Sequence, residues 1–360
     1  MINFFGENLE KEDLLKLIGN ISNIAGTTVF RYLEGRATNL KGVSVKNGSG
    51  LNFIVLPDRG MDIGNAEYLC KPISWISKCG IVSPYFYEKE DSDFLRTFTG
   101  GLLTTCGLTQ AGTPCIDNGI IIEEKLGLHG RISHIPAEKL NIDEYWDDDD
   151  YITKIRGRVR QSCVYEENLV LEREISTKLS NPVILIKDLI INEGYNKSPL
   201  MLLYHFNFGY PIVSKHTKLF STFRKVEPLN DYAKCGNGVY DRFFDLKPDY
   251  KPDNFAFFGP KNSEQAIVAL INNKINLGIY IKFSPRELPY FTEWIMLGLQ
   301  DYVVGLEPGN CLPEGRTEAR KNGRLEYICP GEKKSINLEI GIVERENEIK
   351  LLINELNNNN

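Results

Sequence analysis

Short β-prone runs follow one another along this chain, and almost nothing helical separates them. They lie at Thr27–Tyr32, Val43–Val45, Leu51–Leu56, Gly119–Glu123, Tyr151–Gln161, Cys163–Tyr165, Leu169–Leu179 and Val183–Asn192. The series continues through Leu200–Phe208, Ala266–Ile271, Leu277–Phe283, Ile295–Gly298, Val303–Leu306, Arg324–Ile328 and Lys334–Val343. Polar and apolar residues take turns most clearly in Tyr151–Gln161 and Lys334–Val343, the period of a strand with one wet face. Val183–Ile191 is more uniformly apolar and reads as a buried strand. A parallel sheet needs amphipathic crossover helices of 10–15 residues between strands, and none is present. The expected fold is therefore mainly all-β: large antiparallel sheets packed as a sandwich.

One helical stripe stands apart, at Asn8–Ile18, closed by Gly19-Asn20. Tyr85–Phe98 is polar enough to hold a short helix or a loop. Tyr145-Trp146 followed by four aspartates reads as a solvated acidic turn, without the glycine of a calcium loop. The 360 residues would allow two domains. No Pro/Gly/Ser-rich linker divides them, so the expected organisation is a helical lead-in over 1–25, a single β domain over 26–350 and a tail over 351–360, with Asn357–Asn360 frayed.

Charge and cysteine usage narrow the function classes. The formal charge is −6, from 42 Lys+Arg against 48 Asp+Glu, which argues against nucleic acid as the main partner. No apolar run reaches the roughly 20 residues of a membrane span. The start, MINFFGENLEKEDLLKLIGN, lacks the pattern of a secretory signal. The eight cysteines, Cys70, Cys79, Cys106, Cys115, Cys163, Cys235, Cys311 and Cys329, form no CxxC pair. A cytoplasmic protein with reduced thiols is expected. Neither Cys106 nor Cys311 carries a signature of activation, and GxSxG is missing.

Only four histidines occur, so their placement is informative. His129 lies between glycines in Gly127-Leu128-His129-Gly130, where the backbone lets a ligand approach closely. His134 lies five residues on and would face the other way in a strand, so the two should not share a metal. It reads as a core or edge histidine. In Tyr204-His205-Phe206-Asn207-Phe208-Gly209, strand alternation puts His205 and Asn207 on one face and the aromatics on the other. Glu307 ends an apolar run just before Pro308-Gly309, a setting for a half-buried acid whose pKa burial would raise. Leu56-Pro57-Asp58-Arg59-Gly60-Met61-Asp62 marks a turn with an Asp–Arg pair. Gly100-Gly101, after Arg96, is not a phosphate loop, because no GxxxxGK[ST] pattern or helix follows.

In this order, the Gly-Gly segment, Leu-His-Gly, His-Phe-Asn-Phe and Gly-Leu-Glu-Pro-Gly resemble the aldose 1-epimerase (galactose mutarotase-like) superfamily, in an aldose-epimerase-like branch. The resemblance implies a large antiparallel β supersandwich and acid–base sugar chemistry with no metal, nucleotide or other cofactor. It implies that Glu307 takes the proton of the anomeric hydroxyl while His205, across the hemiacetal, protonates the ring oxygen. His129 would hydrogen-bond the sugar, with Arg96 and Asn207 as further contacts. The hydroxyl-binding Asp of the mutarotases is left open between Asp231, Asp241 and Asp301. Arg59 with Asp62, and Glu314 with Arg316, look like features of the branch; lining the same cleft, they would suit an unusual or acidic sugar. The expected partner is a small sugar, with a homodimer as the assembly allowed. The alternatives are a carbohydrate-binding protein without turnover and a metal-dependent sugar isomerase, which the few histidines disfavour.

Overall fold

A computed structural model of the chain describes residues 2–4, 6–119, 121–237 and 239–358. Two large sheets dominate it, and every strand pairing within them is antiparallel. The first has twelve strands and the second eight. In the first sheet the Ser198–Gly209 strand lies between Leu103–Leu108 and Tyr302–Gly309, and Tyr290–Leu297 flanks the latter. The second sheet centres on Asn168–Lys178, Val183–Asn192 and Lys333–Val343.

Alternation along Ser198–Gly209 decides what faces the core. Tyr204, Phe206 and Phe208 join the main apolar cluster, together with Ile175, Ile186 and Ile340 of the opposite sheet. His205 and Asn207 necessarily point the other way. A buried ionic network ties the two sheets together. Arg173 bonds Asp188 through Nε and Nη2, at 2.9 and 2.7 Å, and Tyr204 Oη donates to Asp188 at 2.6 Å. The strand that carries His205 is thus fixed from behind by its neighbour Tyr204.

Most expected strands form, within a residue or two at each end. Leu51–Leu56, Val183–Asn192 and Leu277–Phe283 match end to end. Val183–Asn192 is buried on alternate residues rather than throughout, because one of its faces turns away from the core. Cys163–Tyr165 is a turn, and 119–123 spans the turn between Cys115–Asn118 and Glu123–Leu126, with Ile120 outside the described residues. The N-terminal helix is shorter than expected, Lys11–Leu17, because Glu7–Leu9 pairs with Ile2–Phe4 instead. The tail is ordered differently as well. Glu346–Asn358 is a helix, whose Ile349, Leu352 and Leu356 pack on Ile267, Ala269 and Ile271; only Asn359 and Asn360 of the expected frayed end lie outside the described residues.

Candidate active site

Three adjacent strands build one polar cluster. Antiparallel register sets Phe206 against Leu306 and Thr292 against Glu307. His205, Glu307 and Thr292 therefore project from the same face, away from the intersheet core. His205 Nε2 lies 3.1 Å from Glu307 Oε1. Thr292 Oγ1 donates to Glu307 Oε2 at 2.8 Å. Asn207 does not reach outward: its amide donates to the carbonyls of His205 at 2.8 Å and Gly101 at 3.2 Å. It fixes the backbone that carries the imidazole. His205 Nδ1 and Asn207 Oδ1 have no hydrogen-bond partner among the described residues.

Two glycines make this packing possible. A Cβ on Gly101, at φ +79°, would meet Ile63 O at 2.5 Å, so the chain can turn there only without a side chain. A Cβ on Gly305 would lie 2.9 Å from both Glu307 Oε1 and His205 Cε1. The bare strand at 305 is what lets the carboxyl and imidazole close on each other.

His129 completes the polar group. Its ring centroid lies 5.7 Å from that of His205, nearly perpendicular to it. The residue sits in the left-handed region at φ +59°, a conformation uncommon for a non-glycine residue. Reciprocal bonds with Gly112 hold it there. His129 N–H donates to Gly112 O at 3.0 Å, and Gly112 N–H donates to His129 Nδ1 at 3.4 Å. The imidazole proton is thereby placed on Nε2.

These side chains open onto a cavity of about 660 Å³, in the usual range for small-molecule sites. Phe94, Phe98 and Trp294 supply an aromatic wall. Phe98 and Trp294 rings lie 5.3 and 5.5 Å from His205. Asn230, Asn254, Glu314 and Arg324 add polar groups elsewhere on the lining.

Burial governs the protonation of the pair. Glu307 is raised from 4.5 to about 8 because its charge is desolvated, with the Thr292 hydroxyl opposing the shift. His205 is lowered from 6.5 to about 4, again by desolvation. His129 falls to about 3, through burial and then the proximity of His205. At neutral pH the favoured state is a protonated carboxyl beside neutral imidazoles. Burial pushes the Cys106 and Cys311 thiols upward, away from nucleophilic thiolates. Among the described residues, no three His, Cys, Asp or Glu side chains converge as a metal-ligand set.

The sequence-expected contacts divide sharply. His129, His205 and Glu307 converge on the cavity. His205 and Glu307, expected on opposite sides of a substrate, are instead in direct contact. Arg59 is not in the lining: it is 1% exposed and donates to Val82 O and Thr97 O, with Nη2 beside His134 Nε2. Asp62 is buried too, accepting from Thr105 N and Oγ1 at 2.9 and 2.6 Å and facing Arg173. Both are therefore buried, Asp62 facing Arg173 of the other sheet and Arg59 enclosed by Val82, Thr97 and His134. Arg316 is held by Asp117 at 2.6 Å and Glu124 at 3.0 Å, away from the cavity. Arg96 is mostly exposed and pairs with Asp93 at 3.2 Å on the short Phe94–Thr97 helix, whose Phe94 turns to the cavity in its place. Asp231, Asp241 and Asp301 pair with Lys234, Arg242 and Lys78 and do not line it. Sequence reasoning missed Phe98, Thr292, Trp294, Gly305 and Arg324. Strand register brings Thr292, Trp294 and Gly305 to the pair, while Phe98 and Arg324 reach the cavity from segments outside the strands, and no local motif announces either.

Comparison with other proteins places the chain. A candidate aldose 1-epimerase from Klebsiella pneumoniae superposes with a TM-score of 0.86 at 22% identity, over 96% of this chain and 90% of that one. A galactose mutarotase-like protein from Clostridium acetobutylicum gives 0.60 at 12% identity, over 90% and 100% of the two chains. Galactose 1-epimerase from Lactobacillus acidophilus gives 0.57 at 14% identity, over 89% and 99%. The fold is thus the galactose mutarotase-like supersandwich. No functionally curated protein matches the sequence. A family model does, over residues 37–342, and the chain belongs to that family, described as a domain of unknown function, DUF4432.

Proposed function

We propose that the cavity takes the reducing end of a sugar and that the His205–Glu307 pair interconverts its anomers. The observation that carries this reading is one buried carboxyl–imidazole contact of 3.1 Å, opening onto a cavity walled by aromatic rings. Ring opening needs two proton transfers at neighbouring oxygens. One group removes the O1 proton as C1=O1 forms. The other gives a proton to O5 as the C1–O5 bond breaks. A pair that holds a single mobile proton supplies both, and ends the step with that proton on the opposite partner. Rotation about C1–C2 and the reverse transfers close the ring with the other anomer. The resting proton favours Glu307, so Glu307 can act as the acid with His205 as the base. The other direction uses the reverse assignment, with Glu307 as base and His205 as acid. A sugar must slip between the two groups, replacing their mutual bond with one bond each. His129 Nε2–H is placed to donate to the ring oxygen or a neighbouring hydroxyl. Trp294 and Phe98 offer flat surfaces for the C–H face of a pyranose.

Each positioned acid or base typically contributes ~10²–10⁴-fold. The test is exchange NMR of anomeric protons across a panel of aldoses. Acceleration above buffer for at least one sugar, lost in Glu307→Gln and His205→Asn with folding intact, supports the proposal. No acceleration for any aldose would reject it.

A further inference from the structure

The charges that line the cavity point to a substrate class. Besides the histidines, its ionisable lining groups are Glu307, Glu314 and Arg324. Arg324 is therefore the one permanent cation among the described lining residues. It is already committed. Arg324 Nε donates to Glu314 Oε1 at 2.8 Å, Nη2 donates to Oε2, and Asn322 Nδ2 donates to the same Oε2 at 3.1 Å. This two-point fork is the strong form of a guanidinium–carboxylate pair. With Glu307 protonated and the imidazoles neutral, the lining has no net charge and no free cation.

We propose that Glu314, by occupying Arg324, makes this site select neutral sugars against anionic ones. The inference rests on the sugar reading above and narrows it. It also reverses the sequence-based expectation that charged residues here favour an acidic sugar: Arg59, Asp62 and Arg316 are spent elsewhere, and Arg324 is neutralised. A sugar carboxylate or phosphate would have to displace Glu314 from Arg324 and then lie against the Glu314 charge. Neutral hydroxyls meet no such conflict. They can donate to the remaining lone pairs of Glu314 and accept from Arg324 Nη1, which the fork leaves unused. The pair thus works as a repulsive element against the wrong substrate as much as a contact to the right one.

The experiment compares an aldohexose with its own C6 uronic acid, by ligand-observed NMR for binding and by anomer exchange for turnover. Wild type is expected to favour the neutral sugar by ~10-fold or more. Glu314→Gln frees Arg324 and should move the ratio toward the uronate by ~10-fold. Glu314→Gln combined with Arg324→Gln removes both charges and should restore a ratio near wild type, which also separates charge from simple damage to the fold. Equal or better binding of the uronate by wild type, or an unchanged ratio in Glu314→Gln, would overturn the inference. Selective binding without faster exchange would uphold it and reject the epimerase reading. Binding of neither sugar would reject both.

Discussion

Gly305→Ala probes the site through one added methyl group. Its Cβ would lie 2.9 Å from Glu307 Oε1, 2.9 Å from His205 Cε1 and 3.3 Å from Trp294. Relaxed non-bonded contacts begin near ~3.5 Å, so the carboxyl and imidazole must each withdraw by roughly half an ångström. Their 3.1 Å contact then opens beyond hydrogen-bonding range. The sugar takes over that bond when it binds, so the rate suffers through misplacement: an acid and a base each shifted by roughly half an ångström lose part of the ~10²–10⁴-fold that each contributes, and a fall of ~10–100-fold is expected. Stability moves less. Replacing glycine in a strand gains ~0.5–1 kcal/mol, while overpacking costs ~1–3 kcal/mol, leaving a net loss of up to ~2.5 kcal/mol. The assay is anomer exchange alongside urea unfolding. A folded Gly305→Ala protein that exchanges anomers at the wild-type rate would refute the reasoning, because the pair would then tolerate the wedge or not need its set positions.

Four further outcomes follow from the same geometry. The rate should be bell-shaped in pH: below about 4 both partners hold protons and no base remains, and above about 8 Glu307 has lost the proton the pair shares. Since the folded pKa of Glu307 lies above its ordinary 4.5, its contribution to stability falls as pH rises from about 4.5 to about 8, and Glu307→Gln should remove that slope in urea titrations. Asp62→Asn should lower stability by ~1–3 kcal/mol through its Thr105 and Arg173 partners while leaving KM unchanged; a raised KM with normal stability would return Asp62 to the cavity. Arg96→Ala should change stability by no more than ~0.5 kcal/mol and leave exchange unaltered, because its side chain is exposed and paired only with surface acids.

Periodicity carried the fold. Strand alternation in Ser198–Gly209 alone separates His205 and Asn207 from Tyr204, Phe206 and Phe208, and the structure keeps that division. Glu307 was legible because an apolar run ended in a carboxylate, and His129 because glycines flanked it. Partners set by register were not legible. Thr292 reaches Glu307 because two strands pair residue 292 with 307, and nothing local fixes that offset. Charged residues misled for a related reason. Arg59 and Asp62 look like surface ligands at a turn, but both are buried, Arg59 donating to the Val82 and Thr97 carbonyls and Asp62 Oδ1 held by Thr105 and Arg173. Asn207 lies on the expected face, but its amide is spent on backbone carbonyls, His205 of its own strand and Gly101 of the Gly-Gly turn.

The central claim is that the His205–Glu307 pair moves protons at an anomeric centre. Two-dimensional exchange NMR on wild-type protein and Glu307→Gln, at neutral pH with a panel of neutral aldoses, tests it most directly. The account predicts cross-peaks between α and β anomeric protons for at least one sugar with wild type, and a fall of ~10²-fold or more in Glu307→Gln. Equal exchange in wild type, Glu307→Gln and buffer would contradict it.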